Sequence, residues 1–273
     1  MMNVKILVCC HKQTFVPDDE MFLPIHVGKA LSGVELPFQG DDTGDNISCK
    51  NKEYCELTGL YWAWKNLKDV DIIGFCHYRR YFDFYYKKGY PFNVCQESEI
   101  TNKKLKVPSR IIRKVYEGKI LIPSKKDFNV PIGHFYCKEH MSEDYRTLAS
   151  IMEKQQENYR KSFRKIMEKG SRISLFNMFI MKWQDFDNYC SWLFDILHQL
   201  EQKIDVEGRD AYQRRVYGFL SERLLNVWLH ANGKKTMECP VLCFSDQEKH
   251  GTNYLIYKIK RYKNVFARFL MKL

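Results

Sequence analysis

A chain of 273 residues with 45% apolar and 28% charged side chains is long enough to bury a sizeable core, and its composition is that of an ordinary globular protein. No apolar run approaches the ~20 residues that a membrane-crossing helix needs. The net charge of +11 is concentrated: residues 103–126 hold nine basic residues and one acid, residues 254–273 hold six basic residues and no acid, and the remainder sums to −3. Such regional basicity points to a local anionic partner. It argues against a nucleic-acid-coating protein, and no base-reading motif accompanies either block.

Ten cysteines are scattered along the chain; Cys239 and Cys243 stand without a second pair, so free thiols are expected in place of a structural zinc site. The amino terminus enters a strand at once and lacks the pattern of a secretory leader, which predicts a reducing, cytoplasmic setting.

In chain order, Lys5 to Cys10 reads as a buried strand, followed by a polar loop from His11 to Glu20 and a second segment reaching Leu31. Gly33, Pro37, Gly40 and Gly44 then mark an irregular loop, after which Tyr54, Leu57, Leu60, Tyr61 and Trp64 recur at helical spacing. A strand from Asp71 to Cys76 leads into the aromatic stretch from Tyr78 to Tyr90, and a strand from Lys119 is halted at Pro123. Residues 141–169 are helical in character and stop at Gly170. A buried strand over Ser174 to Met181 and helices over Trp183 to Leu200 and about Ala211 to His230 follow. Strands alternating with helices predict an α/β fold. In the tail, Leu255, Ile259, Tyr262, Phe266, Phe269, Leu270 and Leu273 fall at steps of three or four with basic residues between them. That is the pattern of a basic amphipathic helix suited to an anionic membrane surface.

Three motifs carry candidate chemistry. In the first, an apolar strand ends in His77-Tyr78-Arg79-Arg80, delivering fixed positive charge to a sheet's carboxyl edge, where an α/β protein holds a phosphorylated ligand. Metal-dependent nucleotide-sugar transferases of the GT-A type usually end such a strand in Asp-x-Asp; cations stand here instead, and they suit a departing diphosphate. The second motif, Asp41-Asp42-Thr43-Gly44-Asp45-Asn46, can bind a cation, orient sugar hydroxyls or supply a base, but as a bare pattern it is more often a turn bonded to its own backbone. The third is Asn177 inside the apolar run from Phe176 to Met181, an amide that needs partners and can find one in a sugar hydroxyl; Glu222 poses the same question.

Taken together, the segments Asp41 to Ser48, Tyr54 to Thr58, Tyr61 to Asn66, Gly74 to Phe82, Phe176 to Met181 and Gly218 to Leu224 resemble a bacterial family first catalogued as a domain of unknown function. That family is described as glycosyltransferases of capsule, exopolysaccharide and lipopolysaccharide assembly, and the likeness extends from about Val4 to His230. It implies a GT-A-like domain over residues 1–235 with a mixed central sheet flanked by helices, a nucleotide-sugar donor and a growing surface glycan as acceptor. It hands over no catalytic residues, and residues 236–273 are expected to form an extension containing the basic helix.

The function expected is transfer of a sugar from a nucleoside diphosphate to a polyprenyl-diphosphate-linked glycan at the inner face of the cytoplasmic membrane. The donor would be bordered by His11, Lys12, Asp41, Asn46, His77, Tyr78 and Asn177, with Arg79 and Arg80 neutralising the diphosphate. Asp42 or Asp45 would contact the donor sugar or base; an inverting reaction would need a carboxylate base, for which Glu222 and Asp210 are the candidates, and a retaining one would not need it in the same place. Trp62 and Trp64 are candidate sugar platforms. No metal is expected to be required; the alternatives are Mn2+ or Mg2+ on the loop from Asp41 to Asp45, or a non-catalytic polysaccharide-binding subunit.

Overall fold

The computed structural model describes residues 2–85 and 92–245. Its strands are β1 (Val4–Cys10), β2 (Phe22–His26), β3 (Gln39–Gly40), β4 (Ile72–His77), β5 (Arg80–Phe82), β6 (Phe92–Gln96), β7 (Ile120–Pro123), β8 (Lys126–Asp127), β9 (Arg172–Ile173), β10 (Phe179–Lys182), β11 (Thr236–Cys239) and β12 (Val241–Ser245). The helices are α1 (Asn51–Tyr54), α2 (Leu57–Asn66), α3 (Asn102–Leu105), α4 (Ser109–Tyr116), α5 (Ile132–Glu139), α6 (Ser142–Glu153), α7 (Glu157–Phe163), α8 (Trp183–Glu201) and α9 (Val216–Ala231). Among the described residues ten strands form one mixed sheet, in which the order β11-β7-β10-β4-β1-β2-β3 is extended by β5, β12 and β6 beside β4. β8 and β9 pair separately. The mixed α/β architecture is the one expected from the sequence, and no described helix is long and apolar enough to cross a membrane.

Alternation along the central strands explains the layers. Leu7, Cys9, Ile73, Phe75, Phe179 and Met181 face one core, built with α2, α8 and α9, while Ile6, Val8, Cys10, Ile72, Cys76 and Ile180 face the other. Each fully buried aliphatic or Phe side chain contributes about 1.5–3 kcal/mol, so a sheet buried on both faces fixes its register firmly. α2 sits close on the end of β2 because Gly59 lacks a Cβ, which would lie 2.7 Å from Val27.

Four local expectations are corrected. The helical stretch over 141–169 is split into α6, α7 and a π-helical turn over 164–169. The strand expected over Ser174 to Met181 does not run through: β10 begins only at Phe179, because Phe176 and Asn177 both have positive φ, 74° and 53°. The helix expected from Ala211 starts at Val216, after a turn whose backbone N–H groups are taken by Asp210. β11 and β12 continue the main sheet through Ser245, so the boundary expected at residue 235 falls inside the sheet. The amphipathic pattern of residues 255–273 lies outside the described residues.

Candidate active site

β1 and β4 are parallel neighbours, with Cys9 opposite His77, and the strand order reverses at β1, whose other neighbour is β2. The carboxyl edge at such a reversal is where open α/β sheets bind ligands. After His77 the chain turns through Tyr78 and Arg79 into β5, in antiparallel register with His77 opposite Arg80. This turn sets Arg79 and Arg80 on the wall of a cavity of about 630 Å³. The segment entering α9 adds Arg209, Arg214 and Arg215, and α1 adds Lys52. Among the described residues that makes six cationic side chains lining the cavity against one carboxylate, Glu56. Arg209 is bound to the buried Asp144 through two nitrogens at 2.8 and 2.9 Å, and Arg214 lies 3.6 Å from Glu53, so two of the six are held by acids behind the wall. The Arg80 guanidinium sits over the Phe176 ring at 4.7 Å, and that of Arg79 over Tyr78 at 4.8 Å.

A second cavity of about 340 Å³ shares Glu56, His77, Arg80 and Arg215 with the first. Its remaining wall includes Glu222 and Arg223 on α9. The Glu222 side chain is 19% exposed, opening onto this space; its carboxylate accepts hydrogen bonds from the Phe176 backbone N–H at 3.1 Å and from Arg223 at 2.8 Å. Burial first, and the neighbouring Glu56 charge next among the raising influences, push its pKa above the ordinary carboxylate value, while Arg223 pulls the other way.

The left-handed bend at Phe176 and Asn177 organises the junction. The Phe176 N–H holds Glu222, and its carbonyl oxygen pairs with Nε2 of His77, which fixes that ring as the Nε2–H tautomer. Burial, together with Arg80, lowers the His77 pKa, so the imidazole is neutral at pH 7. Asn177, 1% exposed, donates to Glu56 Oε1 at 2.9 Å and accepts from Ser221 at 3.1 Å. Two consecutive non-glycine residues in the left-handed region cost backbone energy, and the surrounding bonds hold them there.

Of the residues singled out in the sequence, His11, His77, Tyr78, Arg79 and Arg80 line the first cavity and Glu222 the second. Lys12 stands beside this group, its ammonium 5.7 Å from the Tyr78 ring centre. The acidic loop is tied chiefly to neighbouring segments of the protein. Asp41 is fully buried, accepting the N–H groups of Gly28 and Lys29 and the Ser48 hydroxyl; Asp45 accepts the Tyr61 hydroxyl, and Asn46 bonds Gly44 and Ser48. Asp41, exposed Asp42, Asp45 and Asn46 line neither cavity. Asp210 is exposed and caps the turn before α9, and Asn177 is spent on Glu56 and Ser221, with no lining position in either cavity. Trp62 and Trp64 also line neither, donating instead to Thr43 at 2.9 Å and Asp187 at 2.7 Å.

Sequence reasoning missed Glu56 and the arginines entering α9. Arg209, Arg214 and Arg215 fall within seven residues, a density of charge that was available as a signal. Glu56 lies within the segment Tyr54 to Thr58 that carries the resemblance, but only the fold brings it to Asn177. All ten cysteines are free thiols, and among the described residues no group of three or more His, Cys, Asp or Glu side chains has the arrangement to hold a metal ion.

A family described as Domain of unknown function (DUF4422) matches residues 5–233, the stretch that carries both cavities. The chain belongs to this family. Among solved structures, it is similar to one titled as the apo form of WbbM, a bifunctional glycosyltransferase, at 32% identity and a TM-score of 0.80. The likeness covers 89% of this chain and 45% of that one, so this DUF4422 protein spans about half the length of its structural relative. Among curated proteins, none matches it.

Proposed function

We propose that the protein is a glycosyltransferase that takes a sugar from a nucleoside diphosphate. The observation that carries this reading is the first cavity, with its six cationic side chains at the carboxyl edge of β1 and β4. Similarity to a glycosyltransferase over most of the chain supports it. Arg79, Arg80 and Arg215 meet the diphosphate, and the donor sugar lies at the junction of the two cavities, against Glu56 and His77. An acceptor hydroxyl oxygen forms the new bond to the anomeric carbon while the bond from that carbon to the diphosphate oxygen breaks. The electron pair leaves with the diphosphate and the proton passes to Glu222, whose raised pKa makes its ionised form a stronger base.

In this reading guanidinium groups supply the counter-charge and no divalent ion is required. The acceptor is a polyprenyl-diphosphate-linked glycan of surface-polysaccharide assembly at the inner face of the cytoplasmic membrane. The six basic residues and absence of acids in residues 254–273 support an anionic-surface contact.

Thermal-shift titration against nucleosides, their monophosphates, diphosphates and diphosphate sugars, with and without EDTA, tests the donor side. One diphosphate series should stabilise the fold, by about 2.7 kcal/mol at 100 times its Kd, with EDTA making no difference. Stabilisation only with Mn2+ or Mg2+ would refute the metal-free clamp, and no stabilisation by any diphosphate would refute the donor site.

A further inference from the structure

The second cavity differs from the first in chemistry. Phe128, Phe135 and Phe219 line it, and Tyr212, 51% exposed, stands on its wall, whereas the aromatic ring lining the first is that of Tyr78, besides the imidazoles of His11 and His77. Its charges nearly balance: Arg80, Lys126, Arg215 and Arg223 face Glu56, Glu139 and Glu222. His140 adds no charge at pH 7, because burial first and then Arg223 lower its pKa to about 4. A second phosphate group finds no net attraction here, whereas an uncharged ring with an apolar face and polar edges does.

Two polar atoms on residues of this wall are buried and lack a partner among the described residues. Arg223 is 4% exposed; its Nη1 is taken by Glu222 and the Phe219 carbonyl, but Nε is buried with no partner among the described residues. Nδ1 of His140, whose ring stacks on Phe219 at 4.1 Å, is likewise buried without one. Buried polar atoms ordinarily have partners, so these two orphans leave unmet hydrogen-bonding capacity on residues that line the cavity.

We infer that the second cavity is the acceptor subsite, taking one neutral saccharide ring of a glycan chain with its apolar face on the aromatic wall and a hydroxyl at Glu222. Its volume of about 340 Å³ falls within the range of ligand pockets. The inference rests on the donor reading and adds the acceptor's chemistry: a sugar ring without charge, recognised by stacking. The reacting hydroxyl keeps its oxygen on the acceptor and gives its proton to the Glu222 carboxylate.

The test uses the full chain, the diphosphate sugar that stabilises it, and a panel of neutral p-nitrophenyl pyranosides and furanosides as acceptors. Tyr212→Ala removes an exposed ring and Phe128→Ala one from the deeper wall. Each should raise the acceptor KM about fivefold or more, the scale of one lost ring contact, with the nucleoside diphosphate Kd and transfer to water unchanged. Tyr212 is exposed enough that its variant keeps the fold, which circular dichroism melting verifies. An unchanged acceptor KM, an equal loss of nucleotide affinity, or transfer to water with no glycoside in the panel accepted would each overturn the subsite. Failure of the unmodified protein to bind any nucleoside diphosphate removes the donor reading and this inference together.

Discussion

Replacing Arg80 by alanine isolates the group on which the diphosphate site most depends. Its guanidinium lines both cavities and is positioned by the β4–β5 turn, where Arg80 pairs with His77 and, across the sheet, with Cys243. A hydrogen bond to a charged group contributes about 1.5–3 kcal/mol net. Arg79 and Arg215 share the same wall, so removing one cation also relieves some repulsion, which places the loss near ~2 kcal/mol. At 1.4 kcal/mol per decade this is about a 30-fold rise in Kd for the nucleoside diphosphate. The fold loses the contact with the Phe176 ring, about 0.5–1 kcal/mol, and remains assembled. Isothermal titration of the stabilising diphosphate into the wild type, Arg80→Ala and Arg80→Lys provides the measurement. Lysine keeps the charge but not the two-pronged donor, so it should recover part of the affinity. A change of less than about threefold for Arg80→Ala, outside the range that a charged hydrogen bond allows, would refute the arginine clamp.

Glu222→Gln should lower kcat by about 10²–10⁴ while leaving the nucleoside diphosphate Kd unchanged, because an amide cannot take the acceptor proton. Glu222 must be ionised to act, and burial raises its pKa, so the wild-type rate should fall as pH drops through a value above that of an ordinary glutamate; a rate with no acidic limb would contradict its role. Asn177→Ala removes the donor to Glu56 and puts a Cβ residue without a local bonding partner at φ 53°, together about 3 kcal/mol by urea unfolding. Asn177→Gly, free at that φ, should be less destabilised, and an Ala variant within about 0.5 kcal/mol of wild type would show that the bend is not held as described.

How far the site was legible depended on how local its signals were. His77 to Arg80 could be found because an apolar run stops at a cluster of charges within four residues, and a strand's carboxyl edge needs no distant information. The bend at Phe176 and Asn177 was hidden inside an apolar run that periodicity reads as one strand, although asparagine is among the few residues that tolerate positive φ. The acidic loop was ambiguous for the opposite reason. Asp and Asn in a short loop look the same whether they bind a ligand or brace neighbouring segments, and only the tertiary bonds of Asp41 to Gly28, Lys29 and Ser48 show the bracing.

The sequence by itself determined the α/β class, most long elements and the basic strand end, since hydrophobic period and charge placement act over a few residues. The tertiary structure alone decided that Glu56, Asn177, Glu222 and His77, up to 166 residues apart in the chain, meet at one junction. It also decided that the arginines entering α9 face those following β4. Convergence of that kind follows from how helices pack on the sheet, and packing is set by the whole core, which no local stretch of sequence encodes.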